Sequence, residues 1–156
     1  MGFPRHYFAE EEGAPPPLVV PCQRRVRFEE VDALGMVWHG RYPSYFEDGR
    51  IAFGDTFGLP YPGFRDHKIR APIVQMHFDY HLPLRFDETT TIITTLHWCA
   101  SLRLNFSYEI LKAGMTRAAS GYTVQLFTDD QGDLLLLPPP WIEDFRKRWL
   151  AGELAS

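Results

Sequence analysis

Cysteine is scarce in this sequence. Cys22 and Cys99 stand far apart, in neither the spacing of a metal site nor that of a redox pair. Both are expected as buried or half-buried free thiols, in a cytoplasmic protein. Positive charge is short as well. With 16 Lys and Arg against 20 Asp and Glu, a net charge of −4 and no basic run, the chain has no electrostatic footprint for nucleic acid. Long apolar runs are missing, so no membrane-spanning helix is expected. The N-terminus does not have the charged-then-apolar layout of a signal peptide, because Pro4, Arg5, His6 and nearby glutamates interrupt it. Internal repeats and signs of a second domain are also lacking.

Aromatic residues, by contrast, make up 15% of the chain, which predicts a core or pocket lined by rings. The length of 156 residues suits one domain with a real core. Residues 1–21 read as a flexible, Pro-rich tail, because EEEGAPPP (Glu10 to Pro17) has no period and favours an extended path. Residues 22–156 read as the folded domain.

Within that domain, Val26 and Phe28 alternate with Arg25, Arg27 and Glu29, which predicts a half-buried strand from about Arg24 to Glu29. Val31 to Gly40 reads as a loop. A helix is predicted from Tyr42 to Phe57, with Pro43 in its first turn and Gly58 and Pro60 ending it. Its apolar stripe contains the small Gly49 and Ala52, which would let it lie close on a flat partner surface. Residues 59–70 read as a loop. Most of the remainder alternates as strands: Val74 to Leu82, Thr90 to Trp98, Leu102 to Ile110, and Met115 or Arg117 to Thr128. DDQGD (Asp129 to Asp133) reads as a hairpin turn before a short strand at Leu134 to Leu137, and Trp141 to Leu150 as a closing helix. One long helix and strands with a single apolar row imply a two-layer α+β fold, the helix packed on an antiparallel sheet.

The stretch FEEVDALGMVWHGRYPSYFEDGR (Phe28 to Arg50) carries the best candidate chemistry. Asp32 lies in a loop ahead of a helix whose first N–H groups, His39's among them, are unpaired and positively polarised. Such an N–H can hold the oxyanion of a tetrahedral intermediate, while a carboxylate opposite attacks the carbonyl or activates water. On spacing alone Asp32 reads more readily as a turn or capping residue, which is what most loop aspartates are. Glu47, three residues before Arg50, reads as one half of a helix-surface ion pair or as a pocket acid. His77, Asp79 and His81 alternate on one strand, which would suit a metal site or a plain polar row.

The same stretch resembles the hotdog-fold acyl-CoA thioesterases, specifically the 4-hydroxybenzoyl-CoA thioesterase and YbgC-like group. Their signature is approximately (Y/F)-x-D-x-D-x-x-G-x-V-(Y/W)-(H/Y)-x-x-Y, followed by an aromatic and an acid on the helix. Phe28, Asp32, Gly35, Val37, Trp38, His39, Tyr42, Phe46 and Glu47 stand at matching positions. FDYHLPLRFD, RLNFSYEI and LPPPWIEDF resemble later family segments, so the similarity spans about residues 24–147 and leaves out the tail. Glu30, Val31 and Leu34 depart from the usual Asp, Thr and Gly; the bulk of Leu34 bears on acyl preference.

The resemblance implies a hotdog fold, with an antiparallel sheet of about five strands wrapped on one long central helix. It implies hydrolysis of an acyl-CoA, with an aromatic or short to medium acyl group. Asp32 would be nucleophile or general base, the His39 amide the carbonyl polariser, and Gly35, Val37, Trp38, Tyr42 and Glu47 the substrate-binding positions. Coenzyme A enters as part of the substrate; no metal or other cofactor is expected. Arg65, Lys68, Arg70, Arg103 and Arg117 are candidates to meet CoA phosphates. A homodimer assembling into a homotetramer is implied, with the site at the dimer interface. The other reading is a hotdog protein that binds acyl-CoA or an acyl carrier protein without catalysis.

Overall fold

The computed structural model describes residues 6–154. Strands and helices follow in the order β1 (Leu18–Arg25), α1 (Tyr42–Phe57), α2 (Tyr61–Asp66), β2 (Ile69–Arg70), β3 (Ile73–Tyr80), β4 (Thr89–His97), β5 (Leu104–Leu111), β6 (Arg117–Gln125), β7 (Thr128–Asp129) and α3 (Pro140–Leu150). Single 3-10 turns occupy Phe28–Glu30, His39–Arg41 and Ala113–Met115. Five strands form one antiparallel sheet in the order β1-β4-β5-β6-β3, and β2 pairs with β7 in a small separate ribbon. This is the α+β hotdog architecture: α1 lies across one face of the sheet.

α1 keeps the bounds its punctuation predicts. Pro43 sits in the first turn, and Gly58 caps the end in the left-handed region (φ 83°), its N–H donating to Gly54 O. The buried stripe is Tyr42, Tyr45, Phe46, Gly49, Phe53 and Phe57. At Gly49 the helix backbone comes so near the sheet that a Cβ would overlap Thr94 Oγ1. One turn earlier, Phe46 stacks on Tyr108 of β5 (4.0 Å between centroids, 9° between planes) and on Phe78 of β3 (4.7 Å, 26°). Beneath them Gly121 of β6 has no side chain, and a Cβ there would meet the Phe46 ring and the His77 carbonyl.

The first strand begins earlier than its alternation predicts. Leu18 and Val20 are buried and pair with Leu96 and Thr94 of β4, so residues 18–21, expected in the tail, belong to the sheet. Pro21 hid the strand from a pattern reading. It is tolerated because β1 is an edge strand, where one N–H per pair faces outward. Phe28, expected on the buried face with Val26, lies instead on a 3-10 turn and is 76% exposed. What precedes β1 drapes over the sheet face opposite α1: the Tyr7 and Phe8 rings meet Tyr122, and Trp149 Nε1–H donates to Pro16 O (2.9 Å). Residues 1–5 of the predicted tail lie outside the described residues.

Two smaller expectations are also corrected. Residues 59–70 are not plain loop but carry α2 and β2. Leu134 to Leu137 is not a strand. Leu134 makes one isolated bridge to Thr128, while Leu136 and Leu137 are largely exposed and lead into the Pro138–Pro140 run.

Gly49→Ala is expected to lower stability by about 1–2 kcal/mol, overpacking against Thr94 outweighing the gain in helix propensity. Urea unfolding measures it; a variant more stable than the parent would show that α1 can lift off β4 without penalty.

Candidate active site

The loop between the first two 3-10 turns is held on several sides. Asp32 N–H donates to Met36 O (2.8 Å) and Gly35 N–H to Asp32 O (3.0 Å), with Gly35 at φ 78°. Val37 N–H reaches Leu84 O (2.8 Å) and Trp38 N–H reaches Glu30 O (2.9 Å). The Asp32 carboxylate takes part: Oδ1 accepts from Leu34 N–H (2.9 Å) and Met36 N–H (3.3 Å). Its turn-forming role is therefore real. Asp32 is half-buried, and among the described residues both of these bonds fall on one oxygen. Leu34 is 75% exposed at the tip of the loop and does not crowd the acid.

Beneath this loop Glu30 is 2% exposed. Its Oε1 accepts from Arg27 N–H and lies 3.2 Å from Arg24 Nη2. Arg24 also reaches Asp48 (3.1 Å) and Ser44 (2.9 Å), and its guanidinium sits 3.9 Å over the Tyr45 ring. Burial and the neighbouring Glu30 push the Tyr45 hydroxyl far above the usual tyrosine range, so it stays protonated. This cluster ties β1, the loop and α1 together. Sequence reading missed it. Glu30 stands among other charges, Arg24, Arg25, Arg27 and Glu29, so its only mark in the sequence was its place where the resembling family has Asp.

His39 opens the 3-10 turn that runs directly into α1, where the first N–H groups have no intrahelical partner. Its carbonyl accepts from Tyr80 Oη (3.0 Å), and the Tyr80 ring packs edge-on against Tyr42 at 4.9 Å. Burial raises the hydroxyls of both tyrosines, that of Tyr42 to about 12. Tyr80, at the end of β3, thus joins His39 and Tyr42 in the candidate site, and strand alternation alone did not single it out. Trp38 is 49% exposed, and its ring lies against His39 (4.8 Å) and over Gly40, where a Cβ would overlap it.

Met36, Val37, His39 and Tyr42 form one wall of a cleft of about 290 Å³, and residues 80–83 form the other. Of the predicted site residues, Val37, His39 and Tyr42 meet here; Asp32, Gly35, Trp38 and Glu47 do not line this cleft. Glu47 is exposed. Its expected pairing with Arg50 is not formed: Arg50 turns inward and donates to Tyr108 Oη (3.1 Å). The i, i+3 spacing allowed the surface pair, but Arg50 projects from the flank of α1 that faces β5.

A larger cavity, about 580 Å³, lies at the other end of α1, between that helix, α2 and the sheet. Arg50, Arg65, Lys68 and Arg70 line it. Of the other basic candidates, Arg117 is paired with Glu109 (2.6 Å) and Arg103 is exposed. The His77–Asp79–His81 row is tied into a hydrogen-bond network. His77 Nε2 lies 3.1 Å from Asp79 Oδ2, Tyr7 Oη donates to the same oxygen (2.8 Å), and His81 Nε2 meets Ser120 Oγ (3.0 Å). Among the described residues no group of three His, Cys, Asp or Glu side chains is placed to hold a metal ion. Cys22 and Cys99 are free and half-buried.

Residues 26–149 match the family model described as the Thioesterase-like superfamily. A protein of Aquifex aeolicus (strain VF5), inferred to be an esterase, is 33% identical over 90 residues, 58% of this chain and 70% of that protein. The acyl-CoA thioester hydrolase YbgC of Escherichia coli O6:H1 is 25% identical over 92 residues, 59% of this chain and 69% of its own length. Among solved structures, the DHNA-CoA thioesterase of Staphylococcus aureus superposes with a TM-score of 0.77 at 21% identity, covering 88% of this chain and 95% of that one. That likeness is one of fold.

Glu30→Ala is expected to cost about 3 kcal/mol, because it leaves the Arg24 guanidinium partly buried beside an emptied site. The readout is the urea midpoint at unchanged m-value; a loss near zero would mean that Asp48 alone satisfies Arg24.

Proposed function

This chain belongs to the Thioesterase-like superfamily, and from that premise we propose that it hydrolyses an acyl-CoA thioester to the free acid and CoA, with Asp32 and the His39 amide as the reacting pair. The enzyme is a thioester hydrolase. The observation that supports the assignment of residues is the loop geometry: a half-buried Asp32, fixed by its own turn, lies in the short loop that leads, seven residues on, into the helix entry at His39.

In the proposed reaction the His39 N–H, at the positive end of α1, donates to the thioester carbonyl and then to the oxyanion. Asp32 supplies the base or the nucleophile. As a base it takes a proton from water while the water oxygen bonds to the carbonyl carbon. As a nucleophile its carboxylate oxygen forms that bond, giving a mixed anhydride that water then cleaves. In either case the C–S bond breaks, the sulfur leaves as CoA thiolate and is protonated, and no metal or redox cofactor is needed. Gly35 keeps the loop tight, Val37 and Tyr42 wall the cleft, and Trp38 and Glu47 are assigned to the substrate-facing surface beyond it.

The active form is proposed to be a homodimer, assembled further into a homotetramer, in the cytoplasm. β3 is an edge strand of the sheet, and Ile73, Val74, Met76 and Tyr80 on it are exposed. An open apolar edge of this kind invites pairing with a second copy, and a two-fold contact is self-complementary. In-register antiparallel pairing would set Ile73 of one chain against Tyr80 of the other. Because Ile73 lines the large cavity and Tyr80 the His39 cleft, the two spaces would then adjoin across the contact. The two half-buried free thiols suit a reducing compartment. Among the described residues no helix is long and apolar enough to cross a membrane.

Asp32→Asn tests the assignment. Asn retains the Oδ1 acceptor for the Leu34 and Met36 N–H groups, so the loop and the assembly are expected to persist, while hydrolysis falls by about 10²–10⁴-fold. Thiol release from a panel of acyl-CoAs is the readout, and turnover equal to the parent's would sink the mechanism.

A further inference from the structure

The large cavity holds a charge that the chain itself does not neutralise. Phe53, Phe64 and Phe106 give it aromatic walls, and Arg50 stands among them on α1. Arg50 Nη1–H donates to Tyr108 Oη, which is shared in turn with Thr123 Oγ1 (2.6 Å). Burial lifts the Tyr108 hydroxyl to about 12, so this partner is a neutral phenol at physiological pH. Burial also works against the Arg50 charge, but the oxygens of Tyr108 and Tyr61 outweigh it, and the guanidinium stays charged. Among the described residues no carboxylate pairs with Arg50.

Three further cations, Arg65, Lys68 and Arg70, border the same space, against one acid, Asp130. A half-buried guanidinium served only by neutral oxygens is an unfavourable arrangement unless an anion completes it. Arginine has five donors in a planar fork, and the Tyr108 bond leaves others free to take a carboxylate on two oxygens. The volume of about 580 Å³ falls in the range of small-ligand sites.

We propose that this cavity receives the acyl group, and that the acyl group ends in a carboxylate bound by Arg50, making the substrate the CoA monothioester of a dicarboxylic acid. The inference rests on the thioesterase reading and on the pairing of β3 edges that sets this cavity beside the His39 cleft of the second copy. Along the 3-10 turn and the α1 it leads into, position 50 lies roughly 17 Å from position 39, too far for a short acyl group to span within one chain.

The test is the kcat/KM of the full chain on matched thioesters that differ only in the terminal carboxylate: hexanoyl-CoA against adipoyl-CoA, and benzoyl-CoA against 4-carboxybenzoyl-CoA. The carboxylated member of at least one pair is expected to be preferred by about 10-fold or more, the scale of a charge-assisted hydrogen bond, and chiefly through KM. Arg50→Met is expected to abolish the preference, and Arg50→Lys, which keeps the charge without the fork, to restore part of it. Equal or better hydrolysis of the neutral members by the parent enzyme overturns the inference and leaves the thioesterase reading standing. A preference that survives in Arg50→Met overturns it as well. If no thioester in the panel is hydrolysed, both readings fall. The parent's own ratio decides the matter even if neither variant folds.

Discussion

The helix entry at His39 and the side chain of Arg50 are both positioned by the close approach of α1 to the sheet. The contact depends on two glycines facing each other's layer: Gly49 on the helix, against Thr94, and Gly121 on β6, beneath the Phe46 ring. With side chains absent at those points, Phe46 can lie flat between Tyr108 and Phe78, and the helix axis is fixed in height as well as direction. Stacked rings at these separations contribute about 0.5–1.5 kcal/mol each beyond their burial. Their larger consequence is geometric. A helix fixed in this way carries the His39 turn at one end and Arg50 on its flank, so both inherit their positions from core packing.

The two arginines near α1 show how differently one fold treats a partly buried cation. Arg24 has Glu30, Asp48 and Ser44 within polar reach and a tyrosine ring below it. It is a structural tie, and it holds β1, the loop and the helix in register. Arg50 has tyrosine oxygens for partners and an open cavity beside it. Desolvation penalises both ions. In the first case carboxylates of the chain offset that penalty, and in the second they do not, which is why the second is the informative one for ligand chemistry.

What could be read from the sequence was what local pattern controls. α1 runs from Tyr42 to Phe57 as predicted, because Pro43, Gly58 and Pro60 mark its ends and its stripe keeps a 3.6-residue period. β4, β5 and β6 followed from alternation. β1 was misplaced because Pro21 reads as a breaker, whereas pairing with β4 on one side only makes it harmless. Arg50–Tyr108 was illegible because only the tertiary fold joins groups 58 positions apart, and Arg24–Glu30 because the stretch read as a straight strand turns at Phe28–Glu30 and brings the acid back to the arginine. The i, i+3 spacing to Glu47 pointed to a surface pair, and the core outcompeted it.

For Asp32 the turn role and the proposed reactive role need not be alternatives. The bonds that make it a turn residue, from Leu34 and Met36, converge on Oδ1. A carboxylate has two oxygens and about four lone-pair sites, so this role consumes half of it. The same bonds remove the rotational freedom that a loop side chain would otherwise lose on meeting substrate, at an entropic saving on the order of 1 kcal/mol. An acid held in this manner is pre-oriented before any ligand arrives, and in the proposed hydrolysis its other oxygen would be the one to act. The bonds that give Asp32 its turn role are therefore also the ones that would make it effective in the proposed hydrolysis.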